Sequence, residues 1–121
     1  MVKLFVYGTL RKGMGNHPFI AQHDVEVETA FVRGTMYVNG LPYYKNAGND
    51  MIKGDLVTFK TEDISCLKNI DNLEGHPNVY KRIKKDVRTL DGEMVEAWVY
   101  EYQRPIRHGD TTTDYKEYIG G

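Results

Sequence analysis

An intrachain disulfide is closed to this chain, because Cys66 is its only cysteine. The 121 residues must therefore be held by their own core, and a chain of that length can bury one. A sulfur-rich zinc centre is excluded on the same ground, and His17, His23, His76 and His108 lack ligand spacing. Charge of one sign is lacking too: 16 basic and 17 acidic residues leave a formal net charge of -1. Bulk electrostatics thus gives no pull toward nucleic acid or an anionic membrane. No apolar run approaches the roughly 20 residues of a spanning helix. The first residues lack the charged and apolar regions of a secretory leader, and the GxxxxGK[ST] phosphate loop is absent. These absences lead to an expectation of one soluble domain over residues 1–121, cytoplasmic and without a metal site. Neither nucleic acid nor membrane is expected as a partner, and oligomeric state is not readable.

What is present is a series of strands. Hydrophobic residues make up 40% and charged residues 27%, a globular balance. Val2 to Tyr7 is apolar on both faces, which predicts an interior strand. His17 to Gln22 suits a short helical turn. Val25 to Tyr37 alternates, with Gly34 placed where a bulge would fall. Asn39-Gly40-Leu41-Pro42 and Asn46-Ala47-Gly48-Asn49 read as loops, followed by a strand from Ile52 to Phe59. Val79 to Leu90 and Glu93 to Gln103 read as a hairpin closed by a two-residue turn at Asp91-Gly92. From Arg104 the chain is polar and reads as irregular, pinned by Tyr115, Tyr118 and Ile119. Many strands with one convincing helix predict the α+β class, with a small, largely closed β-barrel.

That helix begins with Thr61 as N-cap and Glu62 and Asp63 in its first turn, and stops at Gly75 and Pro77. Its apolar face is Ile64, Cys66, Leu67, Ile70 and Leu73, while Lys68, Asn69 and Asn72 point away. At 3.6 residues per turn Glu74 falls near the middle of that face, with Asp71 at its edge. A carboxylate aimed at the core is costly unless it is paired or neutral. Desolvation and the negative helix C-terminus would both push its pKa up, toward the range a general acid/base needs. In the bland alternative the helix ends early and Glu74 turns to solvent, or pairs with Lys81 or Arg82.

Other features weigh less. Lys81, Arg82, Lys84, Lys85 and Arg88 form a basic stretch, which strand alternation spreads over both faces; a nucleic-acid-binding barrel is the weakest reading. Cys66 belongs to the helix's apolar face and reads as core.

Tyr7-Gly8-Thr9-Leu10-Arg11, followed by Leu73-Glu74-Gly75-His76-Pro77 and Tyr80-Lys81-Arg82, resembles the γ-glutamylcyclotransferase-like family, in its small branch containing γ-glutamylamine cyclotransferase. The resemblance runs from about Val2 to Tyr118. It implies a compact mixed β-barrel with flanking helices and a pocket between the YGTL loop and a glutamate. The catalytic carboxyl maps onto Glu74, and the substrate-holding loop onto Tyr7, Gly8, Thr9 and Leu10. Tyr80 maps onto the pocket wall, and Arg82 and Arg11 onto structural positions. Asn16 and Tyr118 match without a catalytic role. Leu41-Pro42-Tyr43-Tyr44 departs from the usual pocket-wall pattern, and Tyr115 stands where tryptophan is common.

The implied activity is that of an enzyme on a small γ-glutamyl substrate, with no metal or organic cofactor needed. The α-amine attacks the side-chain carbonyl, and 5-oxoproline and a free amine are released, with Glu74 as base and then acid. The alternative is a non-catalytic module that binds γ-glutamyl groups or other small carboxylates.

Overall fold

The structure is a computed structural model of the chain, and it describes residues 1–120. Strand β1 (Val2–Val6) lies at its centre, antiparallel to β3 (Leu41–Phe59) on one side and parallel to β5 (Met94–Tyr102) on the other. Strand β5 pairs with β4 (Tyr80–Thr89), β4 with β2 (Val25–Asn39), and β2 with β3 along almost its whole length. The β2–β3 pairing closes the ring, so five strands form a barrel with no free edge between them. The single parallel pair makes it mixed.

Alternation in β1 sends its side chains to two cores. Phe5 and Tyr7 join Val32, Met36, Tyr44 and Ile52 inside the barrel. Val2, Leu4 and Val6 point outward and are covered by Ile20, Leu67 and Ile70 from the helical segments. Both faces of β1 are therefore apolar for a structural reason, as an interior strand requires.

Several local expectations need correcting. Leu41 to Lys45 is strand, not loop: the chain reverses at Gly40 (φ +77°), and Pro42 already pairs with Val38. The surplus residues 46–49 bulge out of β3 opposite the Gly34/Thr35 register shift, so the two irregularities expected separately are one. The β4–β5 connection is a three-residue loop rather than a two-residue turn. Gly92 N–H donates to Thr89 O (3.0 Å), Thr89 N–H to Glu93 O (2.9 Å), and Gly92 takes φ +86°.

The helix is shorter than its hydrophobic pattern suggests. Residues Ile64–Leu67 form a 3₁₀ turn whose cap is Asp63, accepting from Ser65 N–H (2.9 Å); Thr61 only braces Asp63. Helix α2 proper is Lys68–Glu74, closed by Gly75 at φ +68°. The 3₁₀ turn rotates Ile64 away from the core, and both Ile64 and Leu73 are exposed. The tail is not irregular. Strand β6 (Asp110–Thr112) pairs with β2, and α3 (Tyr115–Gly120) buries Tyr115 but leaves Tyr118 and Ile119 exposed. Helix α1 (Pro18–Ala21) fills the expected helical turn.

Candidate active site

Strand β1 ends at Val6, and the next four residues bend over the barrel's mouth. There they form one wall of a cavity of about 390 Å³. The tip of the β2–β3 hairpin (Leu41, Pro42) and the C-terminal turn of α2 (Asn72 to Gly75) supply facing walls, with Val79, Tyr80 and Tyr100 between them. Tyr7, Gly8, Thr9, Leu10, Glu74 and Tyr80, far apart in sequence, all line this one space.

The loop is wound so that its carbonyls are engaged by its own chain. Gly8 O accepts from Arg11 N–H (3.1 Å), and Thr9 O from Asn16 N–H (2.9 Å). The Gly8, Thr9 and Leu10 amides donate to no protein acceptor among the described residues. Asn16 also donates its side-chain N–H to Thr9 Oγ1 (2.9 Å). Gly8 is required by packing: a Cβ there would stand 2.6 Å from Pro42 Cγ, a ring that cannot swing aside. Access for a ligand is therefore not its sole justification.

Behind the loop, Arg11 is buried and bridges two carboxylates. Its Nε lies 3.3 Å from Asp55 Oδ1 and its Nη1 3.0 Å from Asp114 Oδ1. Asp55 also accepts from Lys12 N–H (2.7 Å). This network ties the loop to β3 and to the segment entering α3, and it is the structural ion-pair role expected for Arg11.

Three tyrosine hydroxyls fix the opposite wall. Tyr80 donates to Pro42 O (3.0 Å) and Tyr115 to Gly40 O (3.2 Å). Tyr7 donates to Tyr100 O (2.7 Å) while accepting from Tyr44 N–H (3.4 Å). Burial pushes the Tyr7, Tyr80 and Tyr100 phenols upward, and nearby Glu74 adds to the effect on each. They stay protonated at neutral pH, as donors rather than bases.

Glu74 differs from all of these. On α2, Asp71 takes the available cation: Arg82 Nε donates to Asp71 Oδ1 at 2.6 Å and Tyr100 OH to the same oxygen at 2.7 Å. Arg82 also stacks on Trp98, 4.6 Å from the ring centroid. Glu74, one turn further on, forms no ion pair or side-chain hydrogen bond among the described residues. It lines the cavity together with Leu41, Pro42, Leu73 and Val79, and it lies close enough to the Tyr7, Tyr80 and Tyr100 phenols to act on each. Burial raises its pKa from the ordinary 4.5 to about 7. The helix runs as far as Glu74, which is half-buried at the cavity, and the ion pair with Arg82 belongs to Asp71.

Tyr100 was invisible in the sequence as a wall residue; one tyrosine among nine carries no mark. Cys66 is half-buried with its thiol pKa pushed up by desolvation, the opposite of an activated nucleophile. Among the described residues no group of three or more His, Cys, Asp or Glu could hold a metal ion, and no helix is long and apolar enough to cross a membrane.

A barrel with a glycine loop at its mouth and a lone carboxyl facing the loop defines a class that comparison identifies. Residues 4–119 match the model of the family described as γ-glutamyl cyclotransferase, AIG2-like, and the chain belongs to that family. It is 36% identical, over 99% of its length and 100% of the relative's, to a Methanocaldococcus jannaschii protein provisionally named a γ-glutamylcyclotransferase. It is 29% identical, over 98% of its length and 78% of the relative's, to the γ-L-glutamyl-butirosin B γ-glutamyl cyclotransferase of Niallia circulans. The fold is that of a mouse AIG2-like crystal structure, with a TM-score of 0.81 at 20% identity, covering 95% of this chain and 88% of that one. Cyclotransferase chemistry in general is thus supported by kinship.

Proposed function

We propose that the protein is a cyclotransferase that closes 5-oxoproline from a γ-glutamyl amide, with Glu74 as the proton carrier. The observation that carries this reading is the position and pKa of Glu74: an unpaired carboxyl, raised to about 7, across a cavity from free backbone amides.

The substrate brings its own nucleophile. An α-amino group has a pKa of about 8, so at neutral pH it arrives mostly as an ammonium. Transfer of its proton to a carboxylate of pKa about 7 is close to balanced, whereas an ordinary carboxylate would be too weak a base. The freed amine attacks the side-chain carbonyl carbon, forming the C–N bond of the five-membered ring. The bond to the departing nitrogen then breaks as Glu74 returns the proton to that nitrogen. The ring nitrogen sheds a second proton on becoming the lactam N–H, and the released amine takes one up to leave as an ammonium, so the balance closes and no water is consumed.

The loop amides of Gly8, Thr9 and Leu10 donate to an anionic oxygen of the substrate, either the α-carboxylate or the oxyanion that develops on the attacked carbonyl. The pinned hairpin tip and Tyr80 hold the chain curled. Well-oriented intramolecular attack of this kind reaches effective molarities of about 10⁵ M or more.

The test is 5-oxoproline release from a panel of γ-glutamyl amides and dipeptides, comparing the wild type with Glu74→Gln. Glutamine keeps the shape but cannot carry the proton, so kcat falls by about 10²–10⁴-fold while binding persists. Turnover that survived the substitution would remove Glu74 from the role. Binding without turnover by the wild type would replace catalysis with a binding function.

A further inference from the structure

Three successive carbonyls of the loop are tied back, and the third is tied by a side chain. Gly8 O accepts from Arg11 N–H and Thr9 O from Asn16 N–H, both of them backbone donors. Leu10 O has no backbone donor among the described residues; it lies 3.0 Å from His17 Nδ1. A carbonyl only accepts, so Nδ1 must carry the hydrogen. His17 is half-buried and does not line the cavity. Its backbone is fixed where α1 begins. Its N–H donates to Met14 O (3.1 Å), its carbonyl accepts from Ile20 N–H (2.8 Å), and Ile20 is fully buried.

What His17 holds can be followed through the loop. The peptides from Gly8 to Arg11 are trans, so the C=O and N–H of each point in opposite directions. The Leu10 carbonyl shares its peptide with Arg11 N–H, which donates to Gly8 O. The Gly8 carbonyl shares its peptide with Thr9 N–H, and that amide is free at the cavity. One unbroken chain of hydrogen bonds thus runs from the imidazole through two peptides to Thr9. Each link aligns and polarises the next. The Leu10 amide sits on a separate branch, because the carbonyl of its own peptide, Thr9 O, is held by Asn16 N–H.

Resting on the cyclotransferase reading, we infer that His17 is a positioning residue: through the Leu10 and Gly8 carbonyls it presents Thr9 N–H to an anionic oxygen of the substrate. The side chain is needed as a donor. Asparagine, whose Nδ2 stands near the place of Nδ1, can therefore replace it, and leucine cannot.

The experiment compares the wild type with His17→Asn and His17→Leu, two variants that both lose the ring and differ in the donor. In isotopically labelled wild type, nitrogen NMR should find the neutral imidazole of His17 protonated on Nδ1. A proton on Nε2 overturns the inference before any variant is made. Amide spectra of the two variants then isolate the chain. Arg11 and Thr9 N–H should lie upfield in His17→Leu relative to His17→Asn, while Leu10 N–H stays in place. A merely structural role would move all three together; that result, or no movement, overturns the inference.

Turnover is read on the panel member that the wild type converts fastest. Its kcat/KM should fall about tenfold in His17→Leu, less than the roughly 10²–10³-fold that loss of a direct oxyanion donor costs. His17→Asn should stay within about threefold of the wild type, since the hydrogen bond is kept. Equal losses in the two variants, or none in His17→Leu, contradict the inference. A loss in kcat assigns Thr9 N–H to the oxyanion, and a rise in KM assigns it to the α-carboxylate. If the wild type converts no γ-glutamyl amide, the cyclotransferase reading falls, and the tautomer and amide spectra still decide what His17 does to the loop.

Discussion

Around Arg11 the barrel buries opposite charges together, whereas at Glu74 it half-buries a single carboxyl without a charged partner among the described residues. In the first region a guanidinium satisfies Asp55 and Asp114, and Asp55 takes a backbone amide as well. In the second, the neighbouring carboxylate Asp71 holds Arg82 and Tyr100, and nothing is left for Glu74. The two regions adjoin the same loop, Arg11 from behind and Glu74 from across the cavity. Pairing makes a rigid anchor whose charges do not need to change. Isolation makes a group whose protonation is close to balanced at neutral pH, and which therefore costs stability. The loop is held by one kind of site so that it can face the other.

Removing the cation from the paired region should have the largest effect on stability. Arg11→Met leaves two carboxylates without their guanidinium, and breaking a buried pair of this kind costs about 3–5 kcal/mol. Urea unfolding at neutral pH should show it as a lower midpoint.

The opposite change is expected from the unpaired region. A carboxyl whose folded pKa lies above its unfolded value disfavours the folded state wherever the unfolded chain has lost the proton. Below about pH 4.5 both forms are protonated and Glu74 contributes nothing. Between about 4.5 and 7 the folded protein keeps a proton that the unfolded chain has lost, so stability falls as pH rises through that window. Above pH 7 the full cost is present, on the order of 3 kcal/mol for a shift of this size. Glu74→Gln should therefore raise the thermal midpoint at pH 8 and change it much less at pH 4. A variant that is inactive and yet more stable at pH 8 would be the signature of a functional group placed against stability.

A smaller effect should come from Asp71, which stands on the same helix as Glu74 but belongs to the paired kind. Asp71→Asn weakens its hydrogen bonds to Arg82 and Tyr100, for a loss of about 1–3 kcal/mol by chemical denaturation. If it stabilised the protein as Glu74→Gln does, the distinction between the two carboxyls would collapse.

The unpaired region was the more legible of the two in the sequence. Glu74 stood on an apolar helical face where a charge is out of place, and the marks Tyr7 to Arg11 and Leu73 to Arg82 flanked the cavity's two main walls. Of the paired region only Arg11 was marked, as a structural position; its partners left no trace, because Arg11 meets Asp55 and Asp114 across 44 and 103 residues of chain. Loop chemistry misled in β3: Asn46 to Asn49 is turn-forming sequence, yet the β2–β3 ladder absorbs it as a bulge opposite Gly34. Helical periodicity overreached at Ile64 and Leu73, since a 3₁₀ turn does not keep the α-helical phase. The tail looked irregular because β6 and α3 are held by pairing with β2 and by one tyrosine, neither of which makes a periodic pattern.

The most direct measurement is a titration of Glu74 itself, following the side-chain carboxyl carbons of glutamate-labelled protein by NMR from pH 3 to 9. The account predicts one carboxyl that titrates near pH 7, is missing in Glu74→Gln, and matches the acid limb of kcat/KM. Titration of Glu74 at the ordinary value of about 4.5, with the others, would contradict it.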